Sequence, residues 1–405
     1  MEPPPLQKRR RTTAEEPTTI HDMPDDLLRQ ILLRLDSPLW LVRAACASKP
    51  LRRAVIAGGR AFLRLAASIH PPVVVGHYYE RSMRPIAFVP SSSPAPAPVD
   101  AGRFALKFLP RDVTTTAYWE VSDCHAGLLL LRDGYNYPSN IIVCDPLTRR
   151  YQGIPHPPVE NLKRVGHAFA LLDGDDGDIS ISSLRVLYHF LEAPHVCVFS
   201  TTASGGAGGW RFLSEPPDGG YKHMGHVAGR VDGSLYFGIS TGNVKVLDNA
   251  SWELSEVDLP IGIDTSKPPK RSAFTVVHGA GHGRTSPATT RIVHVHGEDL
   301  EVFRRRVSGD EWVLEHSIAK LSEATRGLFG YRPDKRLEWT EVRVISVGNG
   351  IAVLSARDRR TDKWLFSVDM DTEEMKVVPK EPYRGIRWTC TYTLPWRQFL
   401  RACPC

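Results

Sequence analysis

The sequence predicts an α+β multidomain protein, with a small N-terminal helical domain followed by a larger all-β domain. Three observations predict this. Apolar residues recur at helical spacing between residues 20 and 70, short apolar runs bounded by turn residues dominate after residue 72, and some of those runs recur at intervals near fifty residues. The 405 residues, 42% hydrophobic and 24% charged, have the ordinary composition of globular domains.

Residues 1–19 carry no apolar periodicity, and we expect a disordered basic tail there. Much of the net charge of +6 lies in two short basic runs, 8–11 and 304–306, so a nucleic-acid partner is not expected. The chain has no long uncharged apolar run and no apolar signal core. Seven cysteines without regular spacing fit reduced thiols. We expect a protein of the cytoplasm and/or nucleus, without a membrane partner.

The first predicted helix begins near residue 24. Pro24 suits a first helical turn because its missing N–H has no helical partner there, and Asp25 and Asp26 place negative charge where the helix dipole favours it. Five apolar residues then fall on one stripe of a helix of 3.6 residues per turn. They are Leu27, Leu28, Ile31, Leu32 and Leu35.

Three more short helices are predicted before residue 72. Pro38 follows the break after the first helix, and further helices are expected at residues 39–45, 50–55 and 61–69, separated by turn-forming residues. Helices this short bury little surface on their own. The helical domain, residues 20–70, is therefore expected to bury its apolar faces against a partner.

The β domain is predicted over residues 73–400. Its short apolar runs are rich in β-branched residues and are separated by Gly, Asp, Asn and Pro, as at 127–131, 140–144, 234–237 and 243–247. Helical periodicity is nearly absent beyond residue 72. This pattern is typical of many short strands joined by tight turns.

Five segments of the β domain share one pattern, in which a strand ends, a polar turn follows, and the next strand opens on an aromatic or large apolar residue. Counted from Asp145, Phe199, Asp248, Phe303 and Asp369, their spacings are 54, 49, 55 and 66 residues. Periods near fifty that hold several strands are typical of four-stranded propeller blades. The sequence therefore predicts a β-propeller-like domain of about six blades, with two stacked β-sandwiches as the alternative.

Motifs that resemble catalytic or metal sites are better explained as turns and strands. Residues 238–242 read Gly-Ile-Ser-Thr-Gly, but a nucleophile elbow leads into a helix, whereas residues 243–247 predict a strand, so a hairpin turn is expected. His294 and His296 would share one face of a strand, yet no further ligand stands at a recognisable spacing. We expect no catalytic residue, no metal ligand and no cofactor, and therefore no enzyme.

The helical segment resembles an F-box. The family pattern is roughly Leu-Pro-Asp-Asp-Leu-Leu-x-x-Ile-Leu-x-Arg-Leu, then Leu-x-Arg, then Cys-Lys-x-Trp-Arg. This chain reads Met-Pro-Asp-Asp-Leu-Leu-Arg-Gln-Ile-Leu-Leu-Arg-Leu over residues 23–35, and the resemblance continues through 40–44 and 48–55. The β-rich region and the ending at 392–396, Tyr-Thr-Leu-Pro-Trp, resemble large plant F-box families with an associated propeller-like domain.

Three positions depart from the F-box pattern. Met23 replaces the usual Leu, which is a modest change of shape, and Ser48 replaces the usual Cys. Leu51 replaces the usual Trp, which removes a large packing residue from the third helix. Of the three changes, the one at Leu51 is expected to matter most for how tightly the segment binds the partner of an F-box.

The resemblance implies the substrate-recognition subunit of an SCF-type (cullin-RING) E3 ubiquitin ligase. The F-box would bind the SKP-type adaptor, and through it a cullin, while the β domain would hold an unknown target protein. Alternatives are a propeller-type protein-binding module that no longer engages the ligase and, less favoured, a propeller enzyme. Ten residues are expected to bind the adaptor: Met23, Pro24, Leu27, Leu28, Ile31, Leu32, Leu35, Leu41, Val42 and Leu51.

Overall fold

The computed structural model divides into two compact units. The helical unit comprises Met1–Pro71 with Trp396–Cys405, and the β unit comprises Pro72–Pro395. The predicted tail lies outside the described residues, except for Thr19. The described residues are 19–70, 73–81, 84–91, 100–110, 119–133, 140–157, 167–174, 179–190, 196–202, 208–213, 224, 227–238, 243–260, 263, 274–279, 289–306, 311–325, 339–348, 351–358, 363–370, 372–377 and 386–402.

Four of the five helices in the described part belong to the helical unit, and the helix Leu321–Ala324 belongs to the β unit. The Ser37 hydroxyl accepts a hydrogen bond from the Leu39 N–H at 3.2 Å, which caps the helix Pro38–Ala47. Within the described residues, no helix is long and apolar enough to span a bilayer. The helices are α1 (Asp25–Leu33), α2 (Pro38–Ala47), α3 (Lys49–Ile69), α4 (Leu321–Ala324) and α5 (Trp396–Ala402).

The third helical segment, α3, is interrupted at Gly59. Gly59 inside it has φ +53°, a left-handed conformation that glycine adopts without a Cβ clash. Two helical segments therefore meet at Gly59, and the second of them agrees with the helix expected at residues 61–69.

The helical unit has an apolar core of its own. α3 contacts both α1 and α2, and Leu28, Leu32 and Leu41 are fully buried. Arg52 of α3 donates from Nε to the carbonyl oxygen of Ala45 at 3.1 Å, which ties the start of α3 to the end of α2. The first three helices are therefore packed together.

The last helix, α5, corrects the expected boundary of the β domain. That domain was expected to run to about residue 400, but Trp396–Ala402 is helical and contacts α2 and α3 within the helical unit. Trp396 and Leu400 are both buried, at 5% and 2% exposure. The physical reason is their spacing, since residues four apart lie on one face of a helix.

The β unit is mostly sheet, as the sequence predicts. Its described strands are β1 (Val74–Arg81), β2 (Arg84–Pro90), β3 (Trp119–His125), β4 (Leu128–Asp133), β5 (Ile141–Asp145), β6 (Arg150–Ile154), β7 (His167–Asp173), β8 (Leu184–Phe190), β9 (Val196–Ser200), β10 (Gly209–Phe212), β11 (Val227–Val231), β12 (Ser234–Gly238), β13 (Asn243–Asp248), β14 (Leu254–Asp258), β15 (Phe274–Gly279), β16 (Thr289–His296), β17 (Asp299–Arg305), β18 (Trp312–Ile318), β19 (Trp339–Gly348), β20 (Ile351–Asp358), β21 (Lys363–Asp369), β22 (Met375–Val377) and β23 (Ile386–Thr393).

The strands form six antiparallel groups, numbered here along the chain. Group 1 joins β2, β1 and the C-terminal β23, and groups 2 to 6 are β3–β6, β7–β10, β11–β14, β15–β18 and β19–β22. Groups 4 and 5 share one sheet through a single parallel pair, Gly229 with Val276. A Cβ at Gly229 would lie 1.8 Å from the Val276 carbonyl oxygen, so this close approach requires glycine.

Each group has a neighbouring group on each of its two faces. On β4, Leu128 and Leu130 pack against group 3, whereas Leu129 and Leu131 pack against group 1. Successive side chains of a strand point to opposite faces, so four consecutive leucines can all be buried only when both faces are covered. This explains the continuous apolar runs in the sequence.

Packing between successive groups closes on itself. Apolar clusters join groups 1 and 2, 2 and 3, 3 and 4, 4 and 5, and 5 and 6. Tyr79 of group 1 packs with Leu365 and Ile345 of group 6, which completes the cycle. Because the N-terminal β1 pairs with the C-terminal β23, the two ends of the β unit are joined in one sheet. This is a propeller-like fold and not two stacked sandwiches.

The fifty-residue repeat corresponds to the hairpin between the third and fourth strands of groups 2 to 6. In three of these hairpins an aspartate ends the third strand and accepts backbone N–H bonds within the turn; at Asp145 the donor is Leu147, at 2.9 Å. The residue four positions after each aspartate is left-handed. The aspartates are Asp145, Asp248 and Asp369, and the left-handed residues are Arg149, Trp252 and Glu373.

The hairpin expected at residues 238–242 is supported by its strands. β12 and β13 pair antiparallel, with Gly238 opposite Val244, and the turn residues between them lie outside the described part. The segment leads from strand to strand. It therefore lacks the strand-to-helix turn that a nucleophile elbow requires.

Candidate functional site

Exposed apolar side chains are concentrated in the helical unit. Eleven large hydrophobic side chains are exposed among the described residues, and seven of them belong to this unit, which is much the smaller one. Exposed apolar residues grouped on a small unit mark an interaction surface. The seven are Ile20, Leu27, Ile31, Trp40, Ile56, Leu65 and Phe399.

The apolar stripe of α1 divides into two faces. Leu27 and Ile31 lie four residues apart on one side of the helix and are 46% and 45% exposed. Leu28 and Leu32, also four apart, are fully buried. One half of the stripe therefore serves the core of the unit, and the other half is available to a partner.

Three of the ten residues expected to bind an adaptor lie in that core. Leu28, Leu32 and Leu41 have no exposed surface, so in this structure they support the surface and do not form it. The stripe was assigned as a whole because periodicity alone does not separate the two halves. Of the rest, Pro24, Leu27 and Ile31 are exposed, and Met23, Leu35, Val42 and Leu51 are partly exposed.

The structure also exposes two apolar residues that the motif match did not include. Trp40 on α2 is 48% exposed, and the guanidinium of Arg43 lies 4.8 Å from its ring centroid. Ile56 on α3 is 42% exposed. An aromatic ring beside a cation is typical of protein interfaces, and Trp40 would have been a candidate on residue type alone.

Charged groups lie beside the exposed apolar residues of α1. Asp25 and Arg53 form an ion pair at 3.0 Å that joins α1 to α3, and Asp26 pairs with Arg29 one turn along α1. Exposed pairs of this kind contribute little to stability, so their main effect is to set the charge around the surface.

A second polar site joins the first strands of groups 2, 3 and 4. Arg230 of β11 donates from Nη1 to Asp123 of β3 at 3.2 Å and from Nη2 to the carbonyl oxygen of Leu171 on β7 at 3.0 Å. Asp123 accepts the Leu171 N–H at 2.7 Å. Burial lowers the pKa of Arg230, but the Asp123 charge and its hydrogen bonds more than offset burial, so the pKa is raised.

This polar site holds strands together. The Arg230 guanidinium is engaged by protein oxygens from two other groups, and nearby His125 lies 3.0 Å from Asp173. Arg185 donates to the Asp173 carbonyl at 2.7 Å. These contacts assign a structural role to the site, because its charges are directed at one another and at the backbone.

The histidines considered as metal ligands have other contacts. His294 Nδ1 lies 3.4 Å from Glu301 on the adjacent strand, and burial lowers the pKa of His294. Across the part of the chain that the structure describes, no group of three or more His, Cys, Asp or Glu side chains could hold a metal ion.

The family comparison decides the class of this chain. Residues 120–349 match the family described as "F-box protein AT5G49610-like, beta-propeller". The chain belongs to this family. The match covers more than half of the sequence and begins inside β3, so it supports the propeller-like fold of the β unit directly. The helices α1 to α3 precede the matched residues.

Solved structures resemble the chain only distantly. TolB from Acinetobacter baumannii is 11% identical with a TM-score of 0.43, covering 85% of this chain and 73% of that one. The Cps50 (Swd1) beta-propeller domain of Myceliophteria thermophila is 15% identical with a TM-score of 0.34, covering 63% and 69%. An oligogalacturonate lyase in complex with manganese is 9% identical with a TM-score of 0.34, and the match covers 64% of this chain and 63% of the lyase. These similarities carry no inference about activity. No curated protein matches the chain.

Proposed function

We propose that the protein is the substrate-recognition subunit of an SCF-type (cullin-RING) E3 ubiquitin ligase. The observation that carries the proposal is the divided α1 stripe, with Leu27 and Ile31 exposed above a packed Leu28 and Leu32, in a chain that belongs to an F-box protein family. A helix that packs internally on one side and exposes leucine and isoleucine on the other fits a helix-in-groove partner. The SKP-type adaptor is that partner.

The proposed mechanism is proximity. The helical unit binds the adaptor, and through it the cullin, while the β unit binds a target protein, so that the target is held near a ubiquitin-loaded enzyme. Holding two reactants together raises their effective concentration without new bond chemistry in the scaffold. In this proposal the chain itself performs no catalytic step and requires no cofactor.

The proposed recognition domain is a six-bladed propeller. The support is the six strand groups, their closed cycle of apolar clusters, and the pairing of β1 with β23. Such a ring holds its loops on a rigid scaffold, which is the usual way in which binding loops are positioned. The target is a protein that these loops recognise.

Co-purification with the adaptor and the cullin tests the proposal. The full-length protein is expected to retain both, and the double variant Leu27→Asp, Ile31→Asp is expected to lose both because two charges would face the adaptor groove. Leu314→Asp is the matched control, since Leu314 is 50% exposed on β18 of the β unit. Failure of the wild-type protein to bind, or equal binding by the double variant, would contradict the proposal.

A further inference from the structure

The C-terminal helix α5 belongs to the same packed unit as the N-terminal helices, although about 325 residues separate it from them in sequence. It contacts α2 and α3, and its buried Trp396 and Leu400 lie one turn apart. Phe399, on the same helix, is 44% exposed. The helix therefore has one buried and one exposed side.

A unit this small depends on each of its helices. Domains of fifty to sixty residues bury a smaller fraction of their surface than larger domains do and are only marginally stable, so an added Trp and an added Leu are a large share of the core. Two of the three partner-binding helices, α2 and α3, are the ones that α5 contacts. Loss of that packing would loosen the helices that present Trp40 and Ile56.

The connection to α5 runs through the strand that closes the β unit. β23 pairs with β1, and the next residue, Leu394, donates its N–H to the Val73 carbonyl oxygen at 2.8 Å. Pro395 then lies against the β3–β4 turn, where a Cβ on Gly127 would come within 2.6 Å of its ring. The residues immediately before α5 are therefore fixed by the closed β unit.

We infer that α5 is an integral part of the adaptor-binding unit, so that this unit is complete only when the segment that follows the β unit has folded onto α2 and α3. The inference rests on the proposed function for the identity of the partner. Its physical content, that α5 supports α2 and α3, stands on burial and contacts alone. The consequence is that a chain without α5 recruits the adaptor poorly and does not present its target to the ligase.

Hydrogen exchange on the full-length protein tests this inference. In Leu400→Asp, the amides of α2 and α3 are expected to exchange at least tenfold faster than in the wild type, while those of β4 and β8 keep their rates. Adaptor affinity is expected to fall at least tenfold. Phe399→Asp is the matched control on the same helix and is expected to leave exchange in α2 and α3 unchanged. Leu400→Ala, a milder change that leaves only a cavity, is expected to raise exchange in the same helices to a smaller extent.

Two results would overturn the inference. One is unchanged exchange in α2 and α3 for both Leu400 variants, and the other is equally accelerated exchange throughout the β unit, since Leu400 would then support the whole chain and not the helical unit. Absence of adaptor binding by the wild-type protein would instead refute the proposed function, and the exchange result would still decide the role of α5.

Discussion

The two units use the same apolar residue types in opposite ways. In the β unit, Leu128 to Leu131 are at most 5% exposed because each strand group has a neighbour on both faces. In the helical unit, α1 alternates between Leu28 at 0% exposure and Leu27 at 46%. The difference shows that a closed cycle of sheets buries its own apolar surface, whereas a few helices around a small core leave part of theirs exposed.

Polar groups follow the same division. The Arg230 and Asp123 pair of the β unit is largely enclosed and joins three strand groups. The Asp25 and Arg53 pair of the helical unit is much more exposed and lies beside apolar residues that remain open. Buried pairs of this kind fix the position of their strands, whereas exposed pairs are available to shape a docking surface.

The largest expected effect is a loss of unfolding free energy in the β unit. It tests whether the closed cycle of strand groups forms the core of that unit. Tyr78 is fully buried in group 1, and its hydroxyl donates to the Phe104 carbonyl oxygen at 2.9 Å. Tyr78→Ala removes a large aromatic side chain and is expected to lower the unfolding free energy of the β unit by about 3–5 kcal/mol. Denaturant unfolding measures this, with Tyr151→Ala, 47% exposed on β6, as the control. Equal effects of the two changes would show that the cycle of groups is not the core.

An intermediate effect is expected at the turn that contacts Pro395. Gly127 has φ +84°, and its Cβ would lie 2.6 Å from the proline ring. Gly127→Ala is expected to cost at least about 1–2 kcal/mol of unfolding free energy, because alanine is strained there and also clashes. Gly153→Ala is the control, since nothing lies within 4 Å of a Cβ at that position. Thermal melting of both variants checks this, and a stable Gly127→Ala protein would argue against the close packing of that turn.

A pH-dependent effect is expected at a partly buried histidine in the closing sheet. Burial lowers the pKa of His77 from 6.5 to about 4, and Nδ1 lies 3.2 Å from the Thr391 hydroxyl on β23. The pKa of His77 is lower in the folded protein than in the unfolded chain. The unfolding free energy is therefore highest above pH 6.5, and it decreases as the pH falls toward 4, because the unfolded chain then binds the proton more readily. The unfolding free energy is expected to change by at most about 1.4 kcal/mol per pH unit in this range.

Chemical denaturation across pH 4 to 7 measures that change. His77→Gln is expected to flatten the dependence of the unfolding free energy on pH. A wild-type protein whose unfolding free energy is constant over this range would contradict the neutral, buried state of His77.

The sequence predicted the β unit well because its repeat reflects local chemistry. Asp145 and Asp248 end their strands and accept backbone bonds in the turns, so the pattern visible in the sequence is the pattern that shapes the hairpins. The closure by β1 and β23 was not predicted, because no local pattern records a pairing between strands about 300 residues apart.

The helical unit was predicted less completely. The stripe of Leu27, Leu28, Ile31 and Leu32 identified the helix but not which leucines face inward, since that depends on how α3 packs against α1. The helix α5 was missed because a short apolar segment at the end of a strand-rich region is read equally well as a strand. Only the three-dimensional contacts assign it to the helical unit.

The division of α1 into an inner and an outer face is tested most directly by Ile31→Asp, with adaptor affinity and thermal midpoint measured on one preparation. The dissociation constant for the adaptor is expected to rise about 100-fold, as for an interface hot spot, while the thermal midpoint stays unchanged. Leu32→Ala, on the inner face, is expected instead to lower the midpoint. Unchanged affinity in Ile31→Asp, or a midpoint that falls together with affinity, would contradict the account.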